Sequence, residues 1–258
     1  MDLHADRNPA NRYDLTISMT RRYFASQLPP TGGVVTLSER ESRHAIQVMR
    51  VQVGEPMTLF DGKGSEASAT VCLINRNECQ CETAAPRVVD REASLRLDLG
   101  IALPKPDRRQ DLIERLTELG VNSITPLLAA RSQRPPSEKR IEKLKRYVLE
   151  ACKQCGRNRL MHIAPGESAN RFLTQHSSVG QSTTPLRLIA QPGHQSLSVD
   201  SFQKYDHVIA AIGPEGGWTE DEVQLAVEQG FTPIDLGPRI YRIETAATLI
   251  AAVAALKI

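Results

Sequence analysis

The sequence predicts an α/β domain on a parallel sheet, preceded by a small β domain carrying one helix. Two observations lead there. Residues 19–90 read as short strands broken by turn residues. From residue 93 onward, strands alternate with helices, the pattern that builds parallel sheets.

In the first part, Gly32-Gly33 precedes Val34-Val35-Thr36-Leu37, and Val53-Gly54-Glu55-Pro56 turns into Met57-Thr58-Leu59-Phe60. Asp61-Gly62-Lys63-Gly64 is a hairpin signal, and Ala69 to Ile74, Gln80 to Thr83 and Arg87 to Val89 supply further strands. Ser38 is placed to cap the helix, with Glu41 three residues on and Ala45, Val48 and Met49 as its apolar stripe. A small β-barrel fits these elements. Asp90-Arg91-Glu92 forms a polar linker to the second part.

In the second part, Leu95 to Leu103 alternates as a strand. Asp107 to Leu119 follows as a helix ended by Gly120, and Val121 to Leu128 as a strand. Ser137 opens a helix with Ile141, Leu144, Val148 and Cys152 inward, closed by Gly156. Leu186 to Ala190 and His207 to Ile212 are strands of the buried type. Thr219 to Gln229 is a helix, Thr232 to Leu236 a strand and Thr245 to Leu256 the last helix. There is no internal repeat.

Composition excludes some classes. In 258 residues, 40% are hydrophobic, enough for one large core or two modest ones. A net charge of +2 does not by itself demand nucleic acid, so local charge must carry that argument. The longest apolar stretch, Leu249 to Leu256, falls far short of the ~18 residues that span a bilayer. The first eighteen residues are polar and lack the apolar core of a signal peptide. They are expected to be a disordered leader, or Met19 the true start. Five cysteines make no disulfide framework. Cys152 and Cys155 form one CxxC inside a helical pattern, where a zinc site wants two proper pairs, so reduced structural cysteines, no metal and a cytoplasmic location are expected.

Three constellations carry chemistry. Ile212-Gly213-Pro214-Glu215-Gly216-Gly217-Trp218-Thr219 joins a buried strand to a helix, where open α/β sheets bind ligands. Its glycines permit close backbone approach. Glu215, Glu220 and Asp221 would repel a phosphate, and the loop has no P-loop lysine, so a neutral or cationic ligand fits better. A mere tight turn is the alternative. Next, Leu236-Gly237-Pro238-Arg239-Ile240-Tyr241-Arg242-Ile243-Glu244-Thr245 again runs from strand to helix. Two arginines at a helix start break the dipole rule, as a functional site would. The third is basic: residues 138–159 hold eight Lys or Arg against three Glu, including Lys139, Arg140, Lys143, Arg146, Arg157 and Arg159. Such a surface suits nucleic acid, although a solvated helix face would look the same. Arg131 and Arg134 lie just before it, and Arg21, Arg22, Arg43 and Arg50 could add phosphate contacts.

Read together, these segments resemble the RsmE family of 16S ribosomal RNA uridine-N3 methyltransferases, of the SPOUT class. The matching stretches are Arg22-Tyr23-Phe24, His44 to Arg50, Phe60 to Gly64, Thr117 to Val121, Glu150 to Arg159, Ile212 to Glu222 and Leu236 to Ala247. The resemblance implies a PUA-like RNA-binding barrel, a SPOUT domain with a C-terminal trefoil knot, and a homodimer. It implies S-adenosylmethionine as cofactor, in a pocket lined by Leu188, Ile189 and Ala190, by Ile212, Gly213, Glu215, Gly216 and Gly217, and by Leu236, Gly237, Pro238, Ile240 and Thr245. Arg115, Lys105-Pro106-Asp107, Met161 and Ile243 depart from the family pattern, and none removes the segment from Arg242 to Thr245.

The reaction expected is methyl transfer to uracil N3, with Arg242 stabilising charge on the flanking carbonyls and Glu244 accepting the proton or orienting Arg242. Arg22, Arg50, Arg131, Arg157 and Arg159 are the expected RNA contacts. Two alternatives stay open: an RNA-binding assembly factor that has lost catalysis, and a SPOUT enzyme with another target, such as a ribose hydroxyl.

Overall fold

A computed structural model describes residues 20–132, 137–176 and 185–257. The expected leader, Met19 and Arg134 lie outside the described residues. The chain divides into two compact units, one with residues up to Asp61 and Ser65–Val88, the other with Gly62–Gly64 and Val89 onward.

The first unit is a six-stranded sheet. Its strands are β1 (Arg21–Phe24), β2 (Gly33–Thr36), β3 (Pro56–Phe60), β4 (Ser65–Ile74), β5 (Cys79–Thr83) and β6 (Arg87–Val88). They run in the order β1-β3-β4-β5-β2, with β6 also on β4. All pairs are antiparallel except β1 with β3. Tyr23, Leu37, Ala45, Leu59, Val71 and Cys81 fill the core. The expected single helix differs in kind. Ser38 accepts from the Glu41 amide and starts α1 (Glu39–Arg43), which then widens into a π turn over His44–Val48. There the Met49 amide bonds the His44 carbonyl, five residues back, at 3.0 Å. Arg50 leaves this turn with φ 51°, left-handed for a residue with a Cβ.

The second unit holds a parallel sheet in the order β10-β8-β7-β12-β11-β13, with β9 also on β8. Its strands are β7 (Arg96–Ile101), β8 (Ser123–Leu128), β9 (His162–Ile163), β10 (Glu167–Ser168), β11 (Leu186–Ser196), β12 (His207–Ile212) and β13 (Thr232–Asp235). The helices are α2 (Arg109–Glu118), α3 (Glu138–Cys155), α4 (Ala169–Gln175), α5 (Glu220–Glu228) and α6 (Ile243–Ala255). Leu112, Ile113 and Leu116 of α2 are buried, and Leu127, Phe172, Ile189, Ile209, Trp218 and Phe231 form another apolar cluster. Gly156 closes α3 at φ 83°, the expected left-handed cap.

Several boundaries depart from expectation, β4 for one beginning at Ser65 rather than Ala69. The strand from Leu186 continues past Ala190 to Ser196 through a register shift against β13. A 3₁₀ turn, Pro106–Arg108, precedes α2. The last helix begins at Ile243, which puts Arg242 at its N-cap and Glu244 in its first turn.

A polar cluster fastens the amino ends of the central strands. Asp98 is 6% exposed, yet accepts from Arg96 Nε at 2.9 Å, Asn122 Nδ2 at 2.6 Å and Ser123 Oγ at 2.5 Å, and meets His207 Nε2 at 2.7 Å. Burial would raise its carboxyl, but the hydrogen bonds from His207, Ser123 and Asn122 and the Arg96 charge outweigh that and hold it well below the usual carboxylate range.

Candidate active site

From β7 the chain moves to β8 on one side, while β12 and β11 occupy the other. The loops after β7 and β12 therefore diverge, and they leave a crevice at the carboxyl ends of the strands. Ala190 pairs with both Ile212 and Ile234, so the carboxyl ends of β12 and β13 flank the middle of β11. This register brings the expected segments together at one edge of the sheet. Leu188 and Ile189 are buried, at 2% and 0% exposure, so their side chains are part of the core. Ala190, Gly213, Gly217, Leu236 and Gly237 are partly open, and Glu215, Gly216, Pro238, Ile240 and Thr245 are exposed.

The glycine loop is shaped by its neighbours. Gly217 sits at φ 71° and its amide bonds the Pro214 carbonyl at 2.8 Å. A Cβ on Gly213 would lie 2.9 Å from the Trp218 ring, so glycine lets the chain rest against the indole. The Trp218 indole N–H donates to the Ala190 carbonyl at 3.1 Å and ties the loop to β11. Thr219 and Glu222 form the expected capping box of α5. The other Glu222 oxygen accepts from the Ala130 amide at 2.8 Å. After β13, Asp235 accepts from the Gly237 and Gly193 amides at 2.9 and 2.7 Å. Those backbone bonds hold its carboxyl below the ordinary range.

The two candidate catalytic residues stand at the start of α6. Arg242 is exposed at the N-cap. Glu244 keeps its side chain 12% exposed and its Oε1 3.5 Å from Arg108 Nη1. Its Oε2 is buried and has no hydrogen-bond partner among the described residues. Arg108 Nη1 also lies 3.4 Å from Glu215 Oε1, so one guanidinium joins the glycine loop to the helix start.

The expected RNA-binding arginines separate by position. Arg50 and Arg159 are exposed. Arg131 is exposed but its Nη1 donates to the carbonyls of Gly216 at 2.9 Å and Trp218 at 3.3 Å, bracing the glycine loop. Two more of them are engaged within the chain. Arg157 has a side chain 6% exposed, its Nη2 is 2.5 Å from Glu92 Oε2, and its Nη1 donates to the Thr117 and Val121 carbonyls. Arg22 has a side chain 10% exposed, pairs with Glu66 at 3.0 Å and covers the Phe60 ring. Glu66 engages one nitrogen of the Arg22 guanidinium, and Glu92 with two backbone carbonyls engages that of Arg157.

Arg108, Trp218, Glu222 and Asp235 were not among the expected site residues. Trp218 and Glu222 lay inside the glycine-loop motif. Arg108 was legible only through topology, since the loop after β7 faces the same crevice as the loop after β12.

A sequence profile described as an RNA methyltransferase domain matches residues 91–255, and one described as an RNA methyltransferase PUA domain matches residues 37–83. The fold and site therefore define an RNA methyltransferase with a PUA-type unit before its α/β unit. Ribosomal RNA small subunit methyltransferase E of Synechocystis is 32% identical over 83% of this chain and 70% of its own length. That of Bacillus subtilis is 28% identical over 88% of this chain and 92% of its own. The solved structure of the Neisseria gonorrhoeae enzyme of that name, bound to S-adenosyl methionine, superposes with TM-score 0.82 at 30% identity, over 92% of this chain and 96% of its own. A Legionella pneumophila methyltransferase in complex with the same cofactor gives TM-score 0.83 at 30% identity, over 91% of this chain and 96% of its own. The chain belongs to the ribosomal RNA small subunit methyltransferase E family.

Proposed function

We propose that this protein transfers a methyl group from S-adenosylmethionine to N3 of a uridine in 16S ribosomal RNA, in the cytoplasm and as a homodimer. The observation that carries the reading is Glu244: one oxygen is tethered to Arg108 and the other is buried without a partner, beside the exposed Arg242. A buried acceptor without a donor is costly, by about 1–3 kcal/mol, unless a ligand completes it.

The residues present fit the cofactor. Gly213, Gly216, Gly217 and Gly237 offer open backbone, while Glu215, Glu220 and Asp221 supply negative charge that suits a cation. When bound, S-adenosylmethionine supplies a methyl group already activated by its cationic sulfonium. The protein's own part is to align that methyl with uracil N3, an effect worth up to ~7–11 kcal/mol. Glu244 Oε2 accepts the N3 proton, and Arg242 stabilises the charge that spreads onto the uracil carbonyl oxygens. A general base of this kind contributes ~10²–10⁴-fold. Residues 19–90 serve as the RNA-docking unit, with Arg50 as a phosphate contact, and residues 93–258 as the catalytic one, with Arg159 as a further phosphate contact. Ile240, 91% exposed at the rim of the site, supports a second copy packing there.

The experiment is turnover of Arg242→Ala and Glu244→Gln on small-subunit RNA, with cofactor binding measured by calorimetry. Each is expected to lose at least about 10²-fold in kcat with cofactor affinity kept. Near-normal turnover in both variants sinks the assignment. Mass spectrometry of the modified nucleoside separates uridine N3 from a ribose target. Failure to bind S-adenosylmethionine would favour an assembly factor without catalysis.

A further inference from the structure

We infer that Arg108 is the positioning residue of the reaction, holding the proton-accepting carboxylate in place and coupling it to the cofactor loop. This rests on the reading of Glu244 given above. Arg108 Nη1 contacts Glu244 Oε1 at 3.5 Å and Glu215 Oε1 at 3.4 Å. Both distances are long for hydrogen bonds, as catalytic contacts often are before substrate binds.

The arrangement does two things. It takes one oxygen of Glu244 out of play and leaves only the buried Oε2 for the substrate proton. It also brings two carboxylates to one nitrogen. Without the guanidinium they would repel, and Glu244, in the first turn of α6, would lose the ion pair that holds its Oε1. Asp107 Oδ2, 4.0 Å from Arg108 Nε, is the remaining charge on the group.

The backbone beneath Arg108 is stiff. Pro106 opens the 3₁₀ turn, the Arg108 amide bonds the Lys105 carbonyl at 3.1 Å, and Arg109 Nε donates to the Pro104 carbonyl at 2.8 Å. The turn therefore fixes the backbone from which the guanidinium extends. Arg108 touches neither reacting atom in this scheme and acts through Glu244.

The test is a double-mutant cycle with the full-length protein, small-subunit RNA and S-adenosylmethionine. Arg108→Met is expected to lower kcat about 10²-fold while KM for RNA and the calorimetric Kd for the cofactor stay nearly unchanged. Arg108→Lys should recover most of that loss, since an ammonium can still hold one carboxylate. Arg108→Met combined with Glu244→Gln should turn over no more slowly than Glu244→Gln alone, because both remove one device. Additive losses, a loss confined to cofactor Kd, normal kcat, or a lysine no better than methionine would each overturn the inference. Should Arg108→Met fail to fold, the same cycle run with Arg108→Gln decides: a loss in the Glu244→Gln background equal to that in the parent sinks the coupling. Normal turnover of Glu244→Gln would instead overturn the proposed role of Glu244, a distinct outcome.

Discussion

Arginine is abundant around this site, and what each one does is decided by the acceptors within its reach. Arg157 spends its guanidinium on Glu92 and on two backbone carbonyls in the interior. Arg131 spends one nitrogen on the carbonyls of the glycine loop. Arg242 stays in solvent at the head of α6. Sequence counts them alike, because a run of basic residues does not reveal which of them a distant carboxylate will capture. The consequence for Arg157 is measurable. Arg157→Ala leaves Glu92 without its partner and should destabilise the fold by about 3–5 kcal/mol, as broken buried pairs do. Denaturant unfolding measures this. Folded material should bind RNA as the parent does, and a large drop in RNA affinity with unchanged stability would restore Arg157 to the interface.

The two edges of the parallel sheet are built on opposite principles. At the amino edge, Asp98 is saturated by donors from β7, β8 and β12. At the carboxyl edge, Glu244 has an oxygen left over. The saturated cluster makes a pH prediction. Its folded carboxyl is held below the unfolded value of about 3.9, so its stabilisation is present above that pH and is lost as pH falls through the folded value. Thermal midpoints should therefore drop more steeply below about pH 4 in the parent than in Asp98→Asn, and parallel curves would refute this. Element types were largely legible from periodicity, and the capping box at Thr219 marked α5 correctly. The start of α6 was not, because Arg242 makes no side-chain cap and so lacks the Ser, Thr, Asp or Asn signal. The extension of β11 was equally hidden, since Gly193 is held by Asp235, far away in sequence.

At the scale of the molecule, the glycine loops were legible as junctions that each join a strand to a helix. Which strands are neighbours was not, and that is what places Arg108 beside Glu215 and Glu244. The basic face of α3 belongs to this scale as well. Ile141, Leu144 and Val148 are buried, while Lys139, Arg140, Lys143, Lys145 and Arg146 are exposed. Lys145 is engaged by Glu142 at 2.7 Å. Replacing Lys139, Arg140, Lys143 and Arg146 with glutamine should flatten the salt dependence of RNA binding, by about 0.7–0.9 in slope for each phosphate that is no longer neutralised. Titrations at several salt concentrations read that slope, and an unchanged value would remove α3 from the interface.

Trp218 is the sole tryptophan of the chain, 5% exposed, with its indole under Gly213 and its N–H on Ala190. Every photon of tryptophan emission therefore originates beneath the glycine loop. If S-adenosylmethionine binds at that loop, as proposed, its titration is expected to shift the protein's own fluorescence, and an unchanged emission would argue against that placement.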